Sequence, residues 1–344
     1  RLISPRSSLF FSSSCLASLL SAAPPGGGMQ RGLVSCEWLR QGLAGGAAGR
    51  LRLLDATWFL PNSPFACPVA GSSAAAEFAR GPRLPGARFF DVDAVSDPRS
   101  ALPHMLPTAP ILASALARLG VSREHDVVVY DQLGIFSAPR AWYTLKAFGH
   151  PSVAVLDGGL PQWLREGGEV ESGEPAGHAP LPREEGWALD GSMVWDLGQI
   201  SANLESPEAQ VVDARGAPRF AGSAPEPREG MRSGRIPGSL NVPFTTLLTE
   251  AQTMKSGAEL SAVFAAAGLE LDGQRRVVTS CGSGLTACIV GLALKQAGFP
   301  VESRWAVYDG SWSEYGARSD TRVVKDDPGG SGEVEVPGLS EAKL

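Results

Sequence analysis

The residue best placed to do chemistry is Cys281, in the segment TSCGSGLTAC at residues 279–288. The apolar run RRVV precedes this segment, and the helix-like stretch IVGLALKQAG follows it. The pattern predicts a strand that ends just before Cys281 and a helix that begins near Thr286. Ligands of open α/β sheets bind at the carboxyl ends of the strands. The cysteine is therefore predicted to lie in a binding site.

The loop that follows the cysteine is suited to stabilise a negative charge. It consists of Gly282, Ser283, Gly284, Leu285 and Thr286. Its two glycines allow the backbone N–H groups to turn towards one point, and the positive end of the following helix acts in the same direction. A thiol at that point would be held as the thiolate, which is the nucleophilic form of cysteine. The alternative is a buried, inert cysteine at the end of a strand.

The residues at positions 287 and 288 and the positions of the histidines further limit the reactions that Cys281 can carry out. Cysteine phosphatases need an arginine six positions after the nucleophile to hold phosphate oxygens, and Ala287 occupies that position here. Cys288 falls in the first helical turns, where packing in the core is a better interpretation than a second reactive thiol. The four histidines lack the spacing of metal ligands, so neither a metal nor another cofactor is expected.

Several segments of the first half of the chain recur in the second half. LRLLDATW (51–58) matches AQVVDARG (209–216), and Asp157 corresponds to Asp309, 152 residues further on. An offset of this size indicates two duplicated domains and argues against a solenoid of short repeats. The duplication also allows the two halves to be compared position by position.

In the first half, Asp131 occupies the position that Cys281 has in the second half. Both residues follow a strand-like run and precede a helix-like one. A position in the core would take a small hydrophobic residue in both halves, so an aspartate there predicts a loop tip rather than a core position. This contrast favours a reactive second half and a first half that forms one wall of the site.

The secondary-structure pattern is the same in both halves. Short β-branched runs such as DVVVY, VAVL and RRVVTS alternate with helical patterns such as APILASALARLG. Such alternation predicts an α/β fold of two tandem domains with a cleft between them, each a mainly parallel sheet wrapped by helices. The predicted domains are residues 30–165, which are not catalytic, and the catalytic residues 191–318. A Gly-, Pro- and Glu-rich linker at 166–190 and a flexible tail at 319–344 complete this division.

Composition restricts the partners and the compartment. The 344 residues carry a net charge of −6 and have a pI of about 5.4, whereas nucleic-acid binding needs a basic surface. No apolar run is as long as a membrane span. We therefore expect neither nucleic acid nor membrane as a partner. The five cysteines are odd in number and lack the spacing of a disulfide framework, which indicates free thiols in a reducing compartment.

Residues 1–28 differ from the rest of the chain. They are rich in serine, contain two arginines and have no acidic residue. This composition resembles a mitochondrial transit segment, although the short apolar stretch also permits a secretory signal. A third interpretation is that Met29 is the true start and the upstream residues are an artefact. We therefore expect a location in the mitochondrion, the cytoplasm or both.

Together, the tandem domains, CGSGLTAC and the stretch APEPREGMRSGRIPGSLNVPF (224–244) resemble the rhodanese superfamily of sulfurtransferases. The resemblance covers nearly the whole chain, from about residue 30 to 315. It is strongest to the branch that uses 3-mercaptopyruvate, since members that use thiosulfate carry Arg and Lys directly after the cysteine. This chain has Gly282 and Ser283 there. Dianionic thiosulfate favours fixed positive charge at the loop, whereas the neutral thiol end of mercaptopyruvate does not.

The resemblance also implies roles for residues outside the loop. Arg219 and Arg228 would hold the carboxylate and carbonyl of a 2-oxo acid, a task suited to planar guanidinium groups. Asp93, His104 and Ser283 would form a proton relay. Asp93 stands 11 residues before His104, which fits a carboxylate that orients an imidazole. The alternatives are a solvated basic loop for the arginines and a surface position for the histidine.

The activity implied by the resemblance is a transfer of sulfur in two steps. Cys281 would take sulfur from 3-mercaptopyruvate, a small 2-oxo thiol, and carry it as a persulfide held by the loop amides. Thioredoxin, a small dithiol or cyanide would then remove the outer sulfur, so that pyruvate and hydrogen sulfide can be formed. A thiosulfate sulfurtransferase and a catalytically silent, redox-sensing protein remain as alternatives.

Overall fold

The structure is a computed structural model that describes residues 29, 32–45 and 49–326 and the backbone of 333–336. The predicted leader at 1–28 lies outside the described residues. Two five-stranded sheets follow one another along the chain, and every strand pair within them is parallel. The predicted α/β fold class with two tandem domains is confirmed.

The two sheets have the same strand order. The first contains β1 Leu33–Val34, β2 Leu51–Asp55, β3 Arg88–Phe89, β4 Asp126–Tyr130 and β5 Val153–Leu156, in the order β1-β5-β4-β2-β3. The second contains β6 Val194–Trp195, β7 Ala209–Asp213, β8 Leu240–Asn241, β9 Arg276–Ser280 and β10 Trp305–Tyr308, in the order β6-β10-β9-β7-β8. A short antiparallel pair, β11 Val323–Asp326 and β12 Glu333–Val336, lies after the second sheet.

Helices connect the strands in both halves. The first sheet is accompanied by α1 Cys36–Ala44, α2 Ala74–Arg80, α3 Ala109–Arg118, α4 Ala138–Ala147 and α5 Gly159–Arg165. The second is accompanied by α6 Leu197–Glu205, α7 Ala217–Ala221, α8 Gly257–Ala266, α9 Ala287–Gln296, α10 Val301–Arg304 and α11 Ser311–Tyr315. None of the helices in the described part of the chain is long and apolar enough to cross a membrane.

The central strands are rich in apolar residues and mostly buried because both faces of each sheet are covered. In β4, Val127 and Val129 pack into a core that the two domains share. Val128 and Tyr130 point to the other face, as the period of two requires, and pack into a core of the first domain alone. The second sheet divides its side chains in the same way between the shared core and a core of its own.

The shared core makes the domain boundary a packed interface. Helices α4 and α9 contact each other there, and the rings of Trp142 and Trp305 stack with their centroids 5.8 Å apart. Two aspartates that correspond in the duplicated pattern also reach across the boundary. Asp157 accepts the backbone N–H of Met254, and Asp309 accepts that of Leu106, each over 2.8 Å.

The predicted linker at 166–190 lies against the first domain. The backbones of Arg83 and Glu171 pair through two hydrogen bonds of 3.0 and 2.9 Å. Further on, Trp187 is buried, and the guanidinium of Arg123 lies 3.9 Å from the centre of a Trp187 ring. The connection between the domains is therefore fixed to the first domain at these points, while most of its residues are exposed.

The prediction of a flexible tail is wrong for residues 319–326. Val323 and Val324 are buried, and Val324 pairs through its backbone with Arg235 of the second domain. The β-branched run TRVVK explains the difference, since the Gly- and Pro-rich composition begins only after Asp326. The rest of the predicted tail, apart from the backbone of 333–336, lies outside the described residues.

We predict that His150 makes the protein sensitive to acid. Burial lowers the pKa of this imidazole to about 4, whereas the unfolded chain takes up a proton near pH 6.5. Between these values the unfolded state binds more protons, so the free energy of unfolding falls as the pH decreases. At pH 4.5 the loss due to His150 is expected to be about 2–3 kcal/mol.

Urea unfolding at pH 7 and pH 4.5, for the wild type and His150→Gln, measures this loss. Glutamine keeps groups that can hydrogen-bond to Ser122 and Ser152, the neighbours of the ring, but it does not titrate. The variant should therefore lose less stability on acidification than the wild type. An equal loss in both proteins would contradict the prediction.

Candidate active site

Cys281 lies where the carboxyl end of a central strand meets the start of a helix. Strand β9 ends at Ser280, helix α9 begins at Ala287, and Thr286 is its N-cap residue. These positions agree with the predicted ones. The cysteine is only 2% exposed, which places it at the bottom of the site. A small donor is therefore better suited to reach it than a bulky one.

Outside partners hold the carbonyl groups at the start of the cysteine loop, residues 282–286. The carbonyl of Cys281 accepts the backbone N–H of Trp312 over 3.0 Å. The carbonyl of Gly282 accepts both the N–H and the hydroxyl of Ser313, over 2.8 and 2.6 Å. In a trans peptide the C=O and N–H point in opposite directions. The N–H groups of residues 282 and 283 are therefore turned away from α11.

The equivalent loop of the first domain encloses an anion. The carboxylate of Asp131 accepts four backbone N–H groups, each over 2.9 Å; the donors are Leu133, Phe136, Ser137 and Ala138. Burial raises the pKa of Asp131, and the four amide donors act against that shift. Asp131 lies in the loop between β4 and α4, but the prediction of a loop tip rather than a core position is wrong, since the residue is completely buried. Its amide partners compensate for the desolvation of the carboxylate.

Arg219 and Arg228 flank the first residue of the cysteine loop. A Cβ atom added to Gly282 would lie 3.3 Å from Nη2 of Arg219 and 3.9 Å from Nη1 of Arg228. Burial lowers the pKa of the half-buried Arg228, and the proximity of Cys281 acts in the opposite direction. Two guanidinium groups thus stand beside the sulfur-bearing residue, a position from which they can bind an anionic donor.

A buried carboxylate that the sequence did not reveal holds one of these arginines. Glu226 pairs with Arg219 through Oε2, which lies 2.5 Å from Nη2, and through Oε1, 3.2 Å from Nε. It also pairs with Arg215 over 2.7 Å. Arg215 in turn binds Asp213. Because Glu226 is almost fully buried, it fixes the direction of the Arg219 guanidinium.

The structure brings Asp93, His104 and Ser283 into one chain of contacts. Nε2 of His104 lies 3.2 Å from Oδ1 of Asp93, and Nδ1 lies 2.9 Å from Oγ of Ser283. The indole N–H of Trp58 donates to Oδ2 of Asp93 over 2.9 Å. The hydrogen bond from His104 lowers the pKa of Asp93, against the effect of burial. His104 is buried, so the alternative of a surface histidine is wrong.

The other cysteines are less suited to react. Burial raises the pKa of Cys288 to about 12 and that of Cys36 to about 11. Both therefore stay protonated at neutral pH. Cys67 is partly exposed and lies in the first domain, and no disulfide joins the cysteines of the described residues. In the same part of the chain, no cluster of His, Cys, Asp and Glu side chains has the arrangement of a metal site.

Comparison with known proteins identifies the family. The model of the rhodanese-like domain matches residues 72–166 and 196–318. The chain belongs to the rhodanese family. It is 41% identical to human 3-mercaptopyruvate sulfurtransferase over 292 residues, which cover 84% of this chain and 93% of the human protein.

Two further relatives bear on the type of rhodanese. Thiosulfate sulfurtransferase of Rattus norvegicus is 39% identical over 301 residues, covering 86% of this chain and 96% of the rat protein. The crystal structure of SseA from Escherichia coli, described as a 3-mercaptopyruvate sulfotransferase, superimposes with a TM-score of 0.68 at 35% identity. The match covers 83% of this chain and 100% of SseA. Both kinds of rhodanese are therefore close in sequence to this chain.

The structure places the proposed arginines beside Gly282 and connects Asp93 and His104 to Ser283. Their assembly required contacts between segments that are far apart, such as the 179 residues between His104 and Ser283. Glu226 was not among the predicted site residues, although it lies in the segment APEPREG, which is part of the stretch that resembles the family. A charged residue between two prolines and close to two proposed arginines was the available signal.

We predict that Asp131→Ala strongly destabilises this rhodanese. The substitution leaves four buried N–H groups without an acceptor, and each unsatisfied group is costly, so a loss of about 3 kcal/mol or more is expected. Chemical denaturation measures the change in the free energy of unfolding. Asp320→Ala is a matched control, because it removes an exposed ion pair with Arg318 and should leave the free energy of unfolding nearly unchanged. Similar losses in the two variants would contradict the prediction.

Proposed function

We propose that the protein is a sulfurtransferase that takes sulfur from 3-mercaptopyruvate and carries it on Cys281. The observation that supports this proposal most is the position of the thiol, at the start of a loop whose first carbonyls are held outward and beside two guanidinium groups. This arrangement stabilises negative charge on sulfur and on a small anionic donor together.

Arg219 and Arg228 would bind the carboxylate and carbonyl oxygens of the donor. Glu226 holds Arg219 from behind, so that this guanidinium is oriented before the donor arrives. Among the residues that the structure describes, Arg228 hydrogen-bonds only to Ser313, over a long 3.4 Å, so this guanidinium is better able to adjust. Binding of this kind would bring the donor sulfur over the cysteine, and the resulting proximity contributes to the rate.

The first step would form a sulfur–sulfur bond and break a carbon–sulfur bond. The Cys281 thiolate attacks the sulfur of mercaptopyruvate, and the electron pair of the C–S bond passes to carbon as the enolate of pyruvate. The two arginines stabilise this enolate, and protonation at carbon gives pyruvate. Ser283, His104 and Asp93 would move the proton, since Ser283 reaches the loop and Asp93 orients the imidazole. Cys281 is then a persulfide.

In the second step a thiol acceptor would remove the outer sulfur. A thiolate of thioredoxin or of a small dithiol attacks that sulfur, and Cys281 leaves as the thiolate. The second thiol of the acceptor then displaces hydrosulfide and forms a disulfide, which releases hydrogen sulfide. Cyanide could take the same sulfur as thiocyanate. The reaction needs reduced thiols, and the free cysteines of the described chain favour a mitochondrial or cytosolic location.

A thiosulfate sulfurtransferase is the second candidate, and the rat relative favours it. Gly282 and Ser283 argue against it, because neither adds fixed positive charge for a dianion. Steady-state rates with the two donors separate the candidates. We expect a higher kcat/KM for mercaptopyruvate, and a strong preference for thiosulfate would replace our proposal with the second candidate.

We predict that mixing the protein with 3-mercaptopyruvate adds one sulfur atom to Cys281. Intact mass spectrometry before and after addition of the donor measures the adduct. Cys281→Ser should show no adduct, because serine has no thiolate to attack sulfur. Cys288→Ser is the matched control and should still carry the sulfur, since Cys288 is buried and protonated. Absence of the adduct from the wild type would end the proposal.

We predict that Arg228→Gln lowers kcat/KM for mercaptopyruvate about 10- to 100-fold, the effect of losing one hydrogen bond to a charged group. Arg228→Lys should be intermediate, because an ammonium keeps the charge and loses the planar pair of donors. Arg318→Gln is the matched control for charge: its exposed guanidinium pairs with Asp320, and its kcat/KM should not change. Equal kcat/KM values for Arg228→Gln and the control would contradict a role in donor binding.

A further inference from the structure

Arg140 is a buried cation of the first domain that contacts the catalytic loops of both domains. It stands in α4 and is only 2% exposed. Its Nη2 donates to the carboxylate of Asp309 over 2.7 Å and to the backbone carbonyl of His104. Its Nη1 donates to the carbonyl of Gly284 over 3.3 Å. One guanidinium thus joins the loop that carries the histidine to the loop that follows Cys281.

Gly284 is held from several sides. Its φ angle of +76° lies in the left-handed region that favours glycine. A Cβ atom there would lie 3.0 Å from the carbonyl oxygen of Asp309 and 3.1 Å from Nη1 of Arg140. The thiol of Cys288 donates to the same Gly284 carbonyl over 3.2 Å. The carbonyl therefore has two donors, one from each domain.

The direction of this carbonyl has a consequence for the cysteine loop. Gly284 C=O and Leu285 N–H belong to one trans peptide, so fixing the first fixes the second in the opposite direction. The same relation applies to Cys281 and Gly282, whose carbonyls are held by α11. Arg140 thus fixes the direction of a carbonyl in the second half of the loop, as α11 fixes the carbonyls at its start.

The loop of His104 depends on the same guanidinium. His104 has a φ of +62°, a conformation that costs free energy in a residue other than glycine and persists only where neighbouring contacts hold it. The hydrogen bond from Arg140 to its carbonyl is such a contact. The imidazole of this residue is the one that reaches Ser283.

We propose that Arg140 is a positioning residue for sulfur transfer: it directs the Leu285 N–H towards the sulfur of Cys281 and keeps His104 opposite Ser283. The proposal deepens the proposed function and rests on it. Arginine suits the task because its planar fork has five donors in fixed directions, whereas a lysine ammonium cannot serve three separated acceptors in the same way.

Arg140→Lys tests this role with little loss of charge, since an ammonium can still pair with Asp309. We expect the single-turnover rate of persulfide formation with mercaptopyruvate to fall about 10-fold, as for loss of a hydrogen bond to a charged donor. KM should change little, because Arg219 and Arg228 remain. The rate at which iodoacetamide alkylates Cys281 should also fall at pH 7, and its pH midpoint should move upward.

Asp157→Ala is the matched control. Asp157 occupies the position of Asp309 in the other domain and makes the corresponding hydrogen bond across the interface, to Met254. It is not part of the site around Cys281. The variant should lose stability at the interface but keep the wild-type rate and pH profile of alkylation. If both variants lower these rates equally, Arg140 acts only by holding the domains together, and the proposal is overturned.

A second pair of variants applies if Arg140→Lys does not fold. Cys288→Ala removes the other donor to the Gly284 carbonyl, whereas Cys288→Ser keeps a hydroxyl donor of similar size. We expect slower alkylation of Cys281 in the alanine variant and recovery in the serine variant, although serine is the more polar residue in this buried place. If Cys288 acts only through packing, serine should not restore the alkylation rate of Cys281. That result would contradict the proposed role of the direction of the Gly284 carbonyl.

The alkylation assay separates this proposal from the proposed function. If the wild type gains no sulfur from mercaptopyruvate, the proposed function fails, and the alkylation rates still measure how Arg140 affects Cys281. If the wild type is loaded with sulfur and Arg140→Lys matches it in loading rate and alkylation profile, only the positioning role fails.

Discussion

The site depends on the direction of a few peptide groups. Carbonyls of Cys281 and Gly282 are held by the backbone and side chain of α11, and that of Gly284 is held by Arg140 and Cys288. Because each trans peptide points its N–H away from its C=O, these contacts determine where the loop amides point. In the first domain the equivalent loop directs four amides at the carboxylate of Asp131. The same backbone design thus serves a buried carboxylate in one half and, we propose, a reactive thiolate in the other.

Neither domain contains the whole site. The second supplies Cys281 and the arginines, and the first supplies Asp93 and His104. The packed interface, with its shared core and the Arg140–Asp309 pair, therefore sets the geometry of the site directly. The loop of the first domain that carries His104 thus completes the arrangement of side chains around the loop that follows Cys281.

Local signals in the sequence were sufficient for the fold and for the cysteine loop. The run RRVVTS, two glycines and an apolar helix place Cys281 at a strand end, and the duplicated pattern predicts both sheets. Long-range polar contacts have no such local signal in the sequence. Arg140 and Asp309 form an ion pair although 169 residues separate them, and Glu226 is a single carboxylate in a Pro-rich segment. Asp131 was misplaced because polar residues between elements are usually exposed. Only the folded loop shows the amides that make its burial possible.

The charges around Gly282 bear on the choice of donor. Arg215, Arg219 and Arg228 carry three positive charges, and the buried carboxylates of Asp213 and Glu226 neutralise two of them. One positive charge remains in this group of five residues. A 2-oxo acid with a neutral thiol brings one negative charge at its carboxylate, whereas thiosulfate brings two. The Cys281 thiolate proposed above offsets that charge, so the negative charge of the donor stays uncompensated within this group. Because an uncompensated charge is costly to bury, a donor with one negative charge is favoured over a donor with two. The uncharged Gly282 and Ser283 are therefore consistent with a site whose positive charge comes from α7 and the segment after it.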